Sequence, residues 1–196
     1  MSNFSAPLRR IFKVIATASY LVSGTMLAPI ARADQNDPAL PDLFAGLAQT
    51  TRAAEANAIQ LEIWARWTDF ASDDAVSDAM REGVALMDQG RLVQAEAVFD
   101  ALVVTAPDFA EAWNKRATIR FLRGNHAGSK RDIIKVIELE PRHFGALAGL
   151  GMIHLNAGNW QGALQAYEAA LAVNPHMKQA RQLIARLSER LDGQAL

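Results

Sequence analysis

The chain has 196 residues, of which 51% are apolar, and its 20 basic and 21 acidic side chains nearly balance. This composition suits a domain with a buried core. The absence of cysteine excludes disulfides, thiol nucleophiles, thiolate zinc sites, c-type haem attachment and acylation of a lipoprotein cysteine. The charge also argues against nucleic acid as a partner, because phosphate binding requires a basic face.

Residues 1–33 have the pattern of a secretory signal peptide. A basic start precedes the apolar stretch Val14–Ile30, and Ala31-Arg32-Ala33 has the form of a small-x-small cleavage site. The stretch of 17 residues falls short of the ~20 that span a membrane. We therefore predict a cleaved signal and a periplasmic or otherwise exported chain without stable membrane insertion; the alternative is an uncleaved signal that anchors the chain to the inner membrane. Residues 1–33 hold four cations and no acid, so cleavage would change the net charge from −1 to −1 − 4 = −5.

The region that follows is predicted to form a linker and a helical hairpin. Residues 34–41 are polar and contain two prolines, as a linker does. Residues 42–74 show apolar residues at helical spacing, which predicts a short helix over 42–49 and a longer one over 51–70. Asp74 is the expected N-cap of the next helix. Because this hairpin is out of register with the later repeats, we interpret it as an N-terminal cap or a degenerate repeat.

Three units of 34 residues follow, at 76–109, 110–143 and 144–177. Glycine and proline recur at this period, at Gly90, Gly124 and Gly158 and at Pro107, Pro141 and Pro175. Such a period is typical of stacked helix-turn-helix units. Each glycine is expected to end a first helix in the left-handed conformation, and each proline to end a second helix. Asn125 and Asn159 are the expected N-caps of two second helices.

A final helix over 178–192 is predicted to cover the third unit. One side is apolar, and the other carries the charged residues that an end cap shows to water. Together these elements predict an all-α fold: an α-solenoid with an N-terminal helical hairpin and a C-terminal capping helix.

The three units resemble tetratricopeptide repeats. The third unit carries the residues that this family favours at eight positions: Leu150, Gly151, Gly158, Trp160, Ala163, Tyr167, Ala170 and Pro175. The second unit departs from the pattern, with Arg116 at a usually apolar place and Ser129 in place of alanine. We expect Arg116 to lay its stem along the core and to pair with Asp132.

The resemblance implies a concave groove, lined by the first helices, in which a protein ligand binds. The implied groove residues are Met80, Val84, Met87, Asn114, Thr118, Phe121, Met152, Leu155 and Asn156, with Arg81 and Lys115 on the rim. Methionine suits a permissive surface, and the two asparagines are expected to hold a peptide backbone. Met80 and Val84 stand where chaperone-binding relatives carry the first residues of a carboxylate clamp, so that clamp is not expected.

No catalytic, cofactor or metal site is predicted. The four histidines lack the spacing of helical metal ligands, and no acid and base pair lies in a predicted cleft. We therefore expect a non-enzymatic interaction scaffold or adaptor of the bacterial cell envelope that binds a peptide segment or helix of another protein. Envelope assembly, division, secretion and cytochrome maturation all remain open as its pathway. The alternative is a self-associating structural module, a homo-oligomer in which the hairpin of one copy fills the groove of another; an enzyme or small-ligand carrier is less favoured.

Overall fold

The computed structural model describes residues 34–68 and 73–193, and in this part of the chain all regular structure is helical. A short 3-10 turn, Asp34–Asn36, is followed by nine helices within these ranges: α1 Leu40–Gln49, α2 Ala53–Thr68, α3 Asp74–Asp88, α4 Leu92–Thr105, α5 Ala110–Leu122, α6 His126–Leu139, α7 Phe144–Asn156, α8 Trp160–Val173 and α9 Lys178–Asp192. The predicted all-α fold is confirmed. The predicted signal peptide lies outside the described residues.

The turn inside each repeat forms as expected. Gly90, Gly124 and Gly158 have φ values of 71°, 80° and 70°, which favour glycine because other residues carry a Cβ that crowds the backbone there. Asn125 and Asn159 then begin the second helices, each accepting a hydrogen bond at 2.9 Å from a backbone N–H three residues on. These caps were predicted correctly.

The start of α3 differs from the prediction by one residue. The N-cap is Asp73, whose carboxylate accepts from the backbone N–H groups of Ala75 and Val76. Asp74 instead lies in the first turn of the helix, where its charge faces the positive end of the helix dipole. Both aspartates suit a helix start, so the sequence alone did not separate them.

The two helices of a repeat approach closely where the first helix carries glycine. A Cβ on Gly83 would lie 2.6 Å from the ring of Phe99, and one on Gly151 would lie 2.8 Å from the ring of Tyr167. Both aromatic rings are buried. The small residues of the repeat pattern therefore leave room for the large residue of the second helix.

An ion-pair network joins the first two repeats. Arg116 donates from Nε and Nη2 to the two carboxylate oxygens of Asp132, at 2.9 and 2.7 Å, and from Nη1 to Asp100 of α4 at 2.9 Å. Arg120 adds bonds to the same two aspartates and to Glu96. The predicted pairing of Arg116 with Asp132 is confirmed, and it extends across the interface between repeats.

The N-terminal hairpin, formed by α1 and α2, lies along the turns that connect the repeats. Two polar contacts join it to the last of these turns: Asn174 Nδ2 donates to Gln60 Oε1 (2.8 Å), and His176 Nε2 lies 3.0 Å from the Leu47 carbonyl. In the 3-10 turn before the hairpin, Gln35 Nε2 donates to the Asp108 carbonyl at the other end of the row (2.6 Å). The apolar side of the hairpin buries Phe144 at the start of α7 in a common cluster. The two predicted helices are therefore present, and they pack along the inter-repeat turns. Within 34–68 and 73–193, none of the helices has the length and apolar character needed to span a bilayer.

Candidate protein-binding groove

We call the open side of α3, α5, α7 and α9 the groove face. Three hollows lie along it. The first is lined by Met80, Arg81, Val84 and Lys115, among others. The second is lined by Asn114, Thr118, Phe121 and Met152 with neighbouring residues, and the third by Met152 and Leu155 with residues of α9. Of the predicted groove residues, only Met87 and Asn156 line none of the three hollows.

The second hollow is apolar and open. None of the residues that line it carries a charge, and the lining includes two large exposed side chains, Leu122 and Met152, which are 61% and 48% exposed. Met152 also lines the third hollow, so the two adjoin. An exposed apolar surface of this kind is typical of an interaction site.

Two predicted groove residues are buried and have a structural role. Met80 is 3% exposed and belongs to the core between α3 and α4, so it forms the floor of the first hollow. Asn114 is 9% exposed and its amide donates to Glu111 Oε2 at 2.9 Å, so this side chain is not free to hold a peptide in the predicted way. Thr118 is exposed, and its hydroxyl donates to the carbonyl of Asn114.

The two predicted rim cations already have acidic partners. Arg81 forms an ion pair with Asp78 on the same helix. Lys115 Nζ lies 2.9 Å from Glu111 Oε1. Each of these cations is therefore already paired with an acid of its own helix.

Sequence reasoning missed a buried polar cluster beside the groove. Glu111 in the first turn of α5 and His143 before α7 are both fully buried, with Glu111 Oε2 2.9 Å from His143 Nε2. His143 Nδ1 accepts the backbone N–H of Ala146, so its proton is assigned to Nε2 and donated to Glu111. Burial alone would raise the pKa of Glu111, but the bond from His143 and the charge of Lys115 outweigh it and hold this pKa below its usual range.

Two tryptophans of the N-terminal hairpin cover this cluster. Trp67 stacks on the His143 ring at 4.2 Å, and Trp64 meets the same ring edge-on at 5.3 Å. A Cβ on Gly145 would lie 2.7 Å from Trp64, so glycine at this position leaves space for the indole. The hairpin therefore closes the groove face at the first turns of α5 and α7 and leaves the second and third hollows open.

The groove contains no evident metal centre. Within the described ranges, no three histidine, aspartate or glutamate side chains are grouped so that they could hold an ion.

Stacked two-helix units, a left-handed glycine at each inner turn and an open face on the first helices define a protein of the tetratricopeptide class. Tetratricopeptide-repeat models match residues 80–129 and 144–177. A TPR repeat-containing protein of Rhizobium etli is 36% identical over 154 residues, which cover 79% of this chain and 75% of the relative. The chain belongs to the tetratricopeptide repeat family, as the sequence indicated.

Solved structures share the same fold. The crystal structure of MamA superposes with a TM-score of 0.58 at 23% identity and covers 62% of this chain and 71% of MamA. The first TPR of Spaghetti (RPAP3), bound to an HSP90 peptide, gives 0.57 at 18% identity over 60% of this chain and 93% of that one. PcrH, in complex with the chaperone binding region of PopD, gives 0.53 at 18% identity over 62% and 92%. These identities establish a common architecture.

Proposed function

We propose that this protein is a non-enzymatic scaffold that binds a peptide segment or helix of another protein in the groove. The observation that carries the proposal is the uncharged, open second hollow, with Phe121, Leu122 and Met152 on its walls. Apolar burial supplies the affinity of such a site, and few polar groups are needed to orient the ligand. The structures of RPAP3 and PcrH, both solved with a bound segment, support this use of the fold.

We further propose that the protein works in the bacterial cell envelope after export. The support is the signal-like pattern of residues 1–33. Mass spectrometry of the protein recovered from the envelope fraction of expressing cells tests this directly. A chain that begins at Asp34 supports cleavage, an intact chain in the membrane fraction supports the anchored alternative, and an intact chain in the cytoplasm contradicts both.

The groove is tested by capture of partners from envelope extract with matched baits. Met152→Glu places a charge where the second and third hollows meet, and Leu61→Glu places the same charge on α2, where Leu61 is 71% exposed. Met80 is left unchanged because it is buried. A partner that binds the parent and Leu61→Glu but not Met152→Glu supports the groove. Equal capture by all three baits contradicts it.

Self-association remains the competing function. It requires the hairpin to leave its own repeats, which would expose Trp67 and break the contacts over Glu111 and His143. Sedimentation of the parent separates partner binding from self-association. A monomer favours partner binding, and a dimer that disappears on deletion of residues 34–68 favours self-association.

A further inference from the structure

We propose that the protein has a second interaction surface, at the exposed end of the first repeat, and that it fits an amphipathic helix carrying basic residues. We call this surface the end face; it is a hollow between α3 and α4 lined chiefly by Ala75, Val76, Ala79, Glu82, Val98 and Leu102. It lies on different helix sides from the groove hollows and shares no lining residue with them.

The repeat period shows which surface of the second repeat the end face corresponds to. One period on, Glu82 and Val98 correspond to Arg116 and Asp132, which are 8% and 2% exposed. Arg116 lies at the interface with the preceding repeat, where it bonds to Asp100 of α4, and Asp132 pairs with Arg116 beside that interface. Glu82, by contrast, is exposed and Val98 is half-buried. The end face is therefore a stacking surface on which, among the described residues, no helix is stacked.

The element that would be expected to cover the end face lies elsewhere. The N-terminal hairpin, which precedes the first repeat in the chain, packs along the inter-repeat turns and buries Phe144 of the third repeat. At the opposite end of the solenoid, α9 covers the third repeat through Ala180 and Leu187. The two ends thus differ: one is closed by a helix and the other presents its stacking surface.

The shape of the end face fits a helix. Val76 and Leu102 form an apolar floor and are only 7% and 2% exposed. Ala75 and Ala79 on α3 and Ala101 on α4 have short side chains, which allow a third helix to approach the two closely. A helix laid between two others buries a stripe of apolar residues three and four positions apart.

The charge of the end face specifies the partner. Two of its lining residues, Asp73 and Glu82, are acidic, and α3 as a whole carries four acids and one base. In the interface between the first two repeats, the position of Glu82 is taken by a cation that pairs with an acid of the preceding helix. At the end face we expect the charges of this pair to be reversed: Glu82 supplies the acid, and the incoming helix supplies a lysine or arginine. A second copy in a symmetric contact would instead bring Glu82 against Glu82.

The test uses two synthetic helices of about 18 residues, which is five helical turns. Both carry the same leucine and alanine stripe; one is flanked by lysine and arginine and the other by glutamate. Fluorescence anisotropy measures their binding to the full chain and to Glu82→Lys, with circular dichroism to verify folding. The groove variant Met152→Glu is the control.

We expect the basic helix to bind the full chain and Met152→Glu alike, and to bind Glu82→Lys at least about tenfold more weakly, a loss of about 1.4 kcal/mol. The glutamate helix should bind Glu82→Lys more tightly than it binds the full chain. Equal binding of both helices, binding of neither, or loss with Met152→Glu would overturn the proposal. So would a dimer in sedimentation that Glu82→Lys abolishes, since the occupant would then be a second copy. Of these outcomes, only loss with Met152→Glu bears on the groove, because it would place the basic helix there.

Discussion

Replacing Glu111 by glutamine should loosen the N-terminal hairpin and destabilise the whole domain. The carboxylate is fully buried, accepts bonds from His143 and Asn114 at 2.9 Å, and lies 2.9 Å from Lys115 Nζ. Glutamine keeps the size and one acceptor oxygen, but it leaves Lys115 without its counter-ion. Breaking a buried pair costs about 3–5 kcal/mol, and the partial exposure of Lys115 reduces this, so we expect a loss of about 2–4 kcal/mol.

The loss should depend on pH in a defined direction. Because the folded protein holds the pKa of Glu111 below its usual range, the folded state binds this proton less readily than the unfolded state. The stabilisation is complete above the unfolded pKa, about 4.3, and is lost as the pH falls through the folded value. The difference in unfolding free energy between the parent and Glu111→Gln should therefore be constant near neutrality and narrow in acid.

Urea unfolding over a pH series measures this difference. Far-ultraviolet circular dichroism reports the helices, and tryptophan emission reports tertiary packing around Trp64 and Trp67 of the hairpin together with Trp113 and Trp160 of the repeats. Glu138→Gln is the matched control, because the side chain of Glu138 is 61% exposed and its ion pair with Lys135 spans 3.5 Å. We expect the control to stay within about 0.5 kcal/mol of the parent. If Glu111→Gln behaves like the control, or if its deficit does not shrink in acid, the buried carboxylate does not hold the hairpin.

Three further substitutions test the packing between helices, each measured by urea or thermal unfolding. Arg116→Lys should lose about 1–3 kcal/mol, because lysine cannot donate to both oxygens of Asp132 as the guanidinium does; a neutral result would mean that the pair is only incidental. Gly151→Ala should lose about 1–3 kcal/mol because its Cβ would lie 2.8 Å from Tyr167, unless the ring can shift freely. Gly46→Ala should gain up to about 1 kcal/mol, since it lies in α1 with its nearest neighbour at an ordinary 3.4 Å; a loss would show that α1 packs more tightly than described.

The repeats could be predicted from the sequence because their determinants are local and recur. Gly124 ends one helix and Asn125 begins the next through bonds within a few residues of the chain. The period of 34 residues then repeats this turn, which makes chance agreement improbable. The pairing of Arg116 with Asp132 was accessible for the same reason: a charge in an apolar position requires a partner nearby, and few acids were available.

The position of the hairpin could not be predicted, because it depends on contacts distant in the chain. Leu47 meets His176 and Gln60 meets Asn174, and both pairs are separated by more than one hundred residues. The apolar stripe of α2 shows that the helix must be covered, but the end of the first repeat and the row of turns both offer apolar cover. The space above Gly145, which admits Trp64, becomes apparent only in three dimensions.

The groove was predicted by family position, and this approach places residues on the correct helix side without giving their depth. Met80 on α3 and Met152 on α7 were both predicted to line the groove, yet one is 3% exposed and the other 48%. Asn114 likewise lies on the predicted side of its helix, but its amide donates a hydrogen bond to Glu111. How far each residue is exposed depends on the elements that pack beside its helix. For α5 and α7, one of these elements is the hairpin.

One buried cluster thus affects both proposed binding surfaces of the molecule, the groove face and the end face. Glu111 and His143 hold Trp67, and Trp67 fixes α2 across the turns. With α2 there, the groove face is closed at the first turns of α5 and α7, and ligand binding is directed to the second and third hollows. The same position of α2 also leaves the end face uncovered by the hairpin, which precedes the first repeat in the chain. A weakened cluster should therefore alter both surfaces together, whereas Met152→Glu and Glu82→Lys should each alter only one.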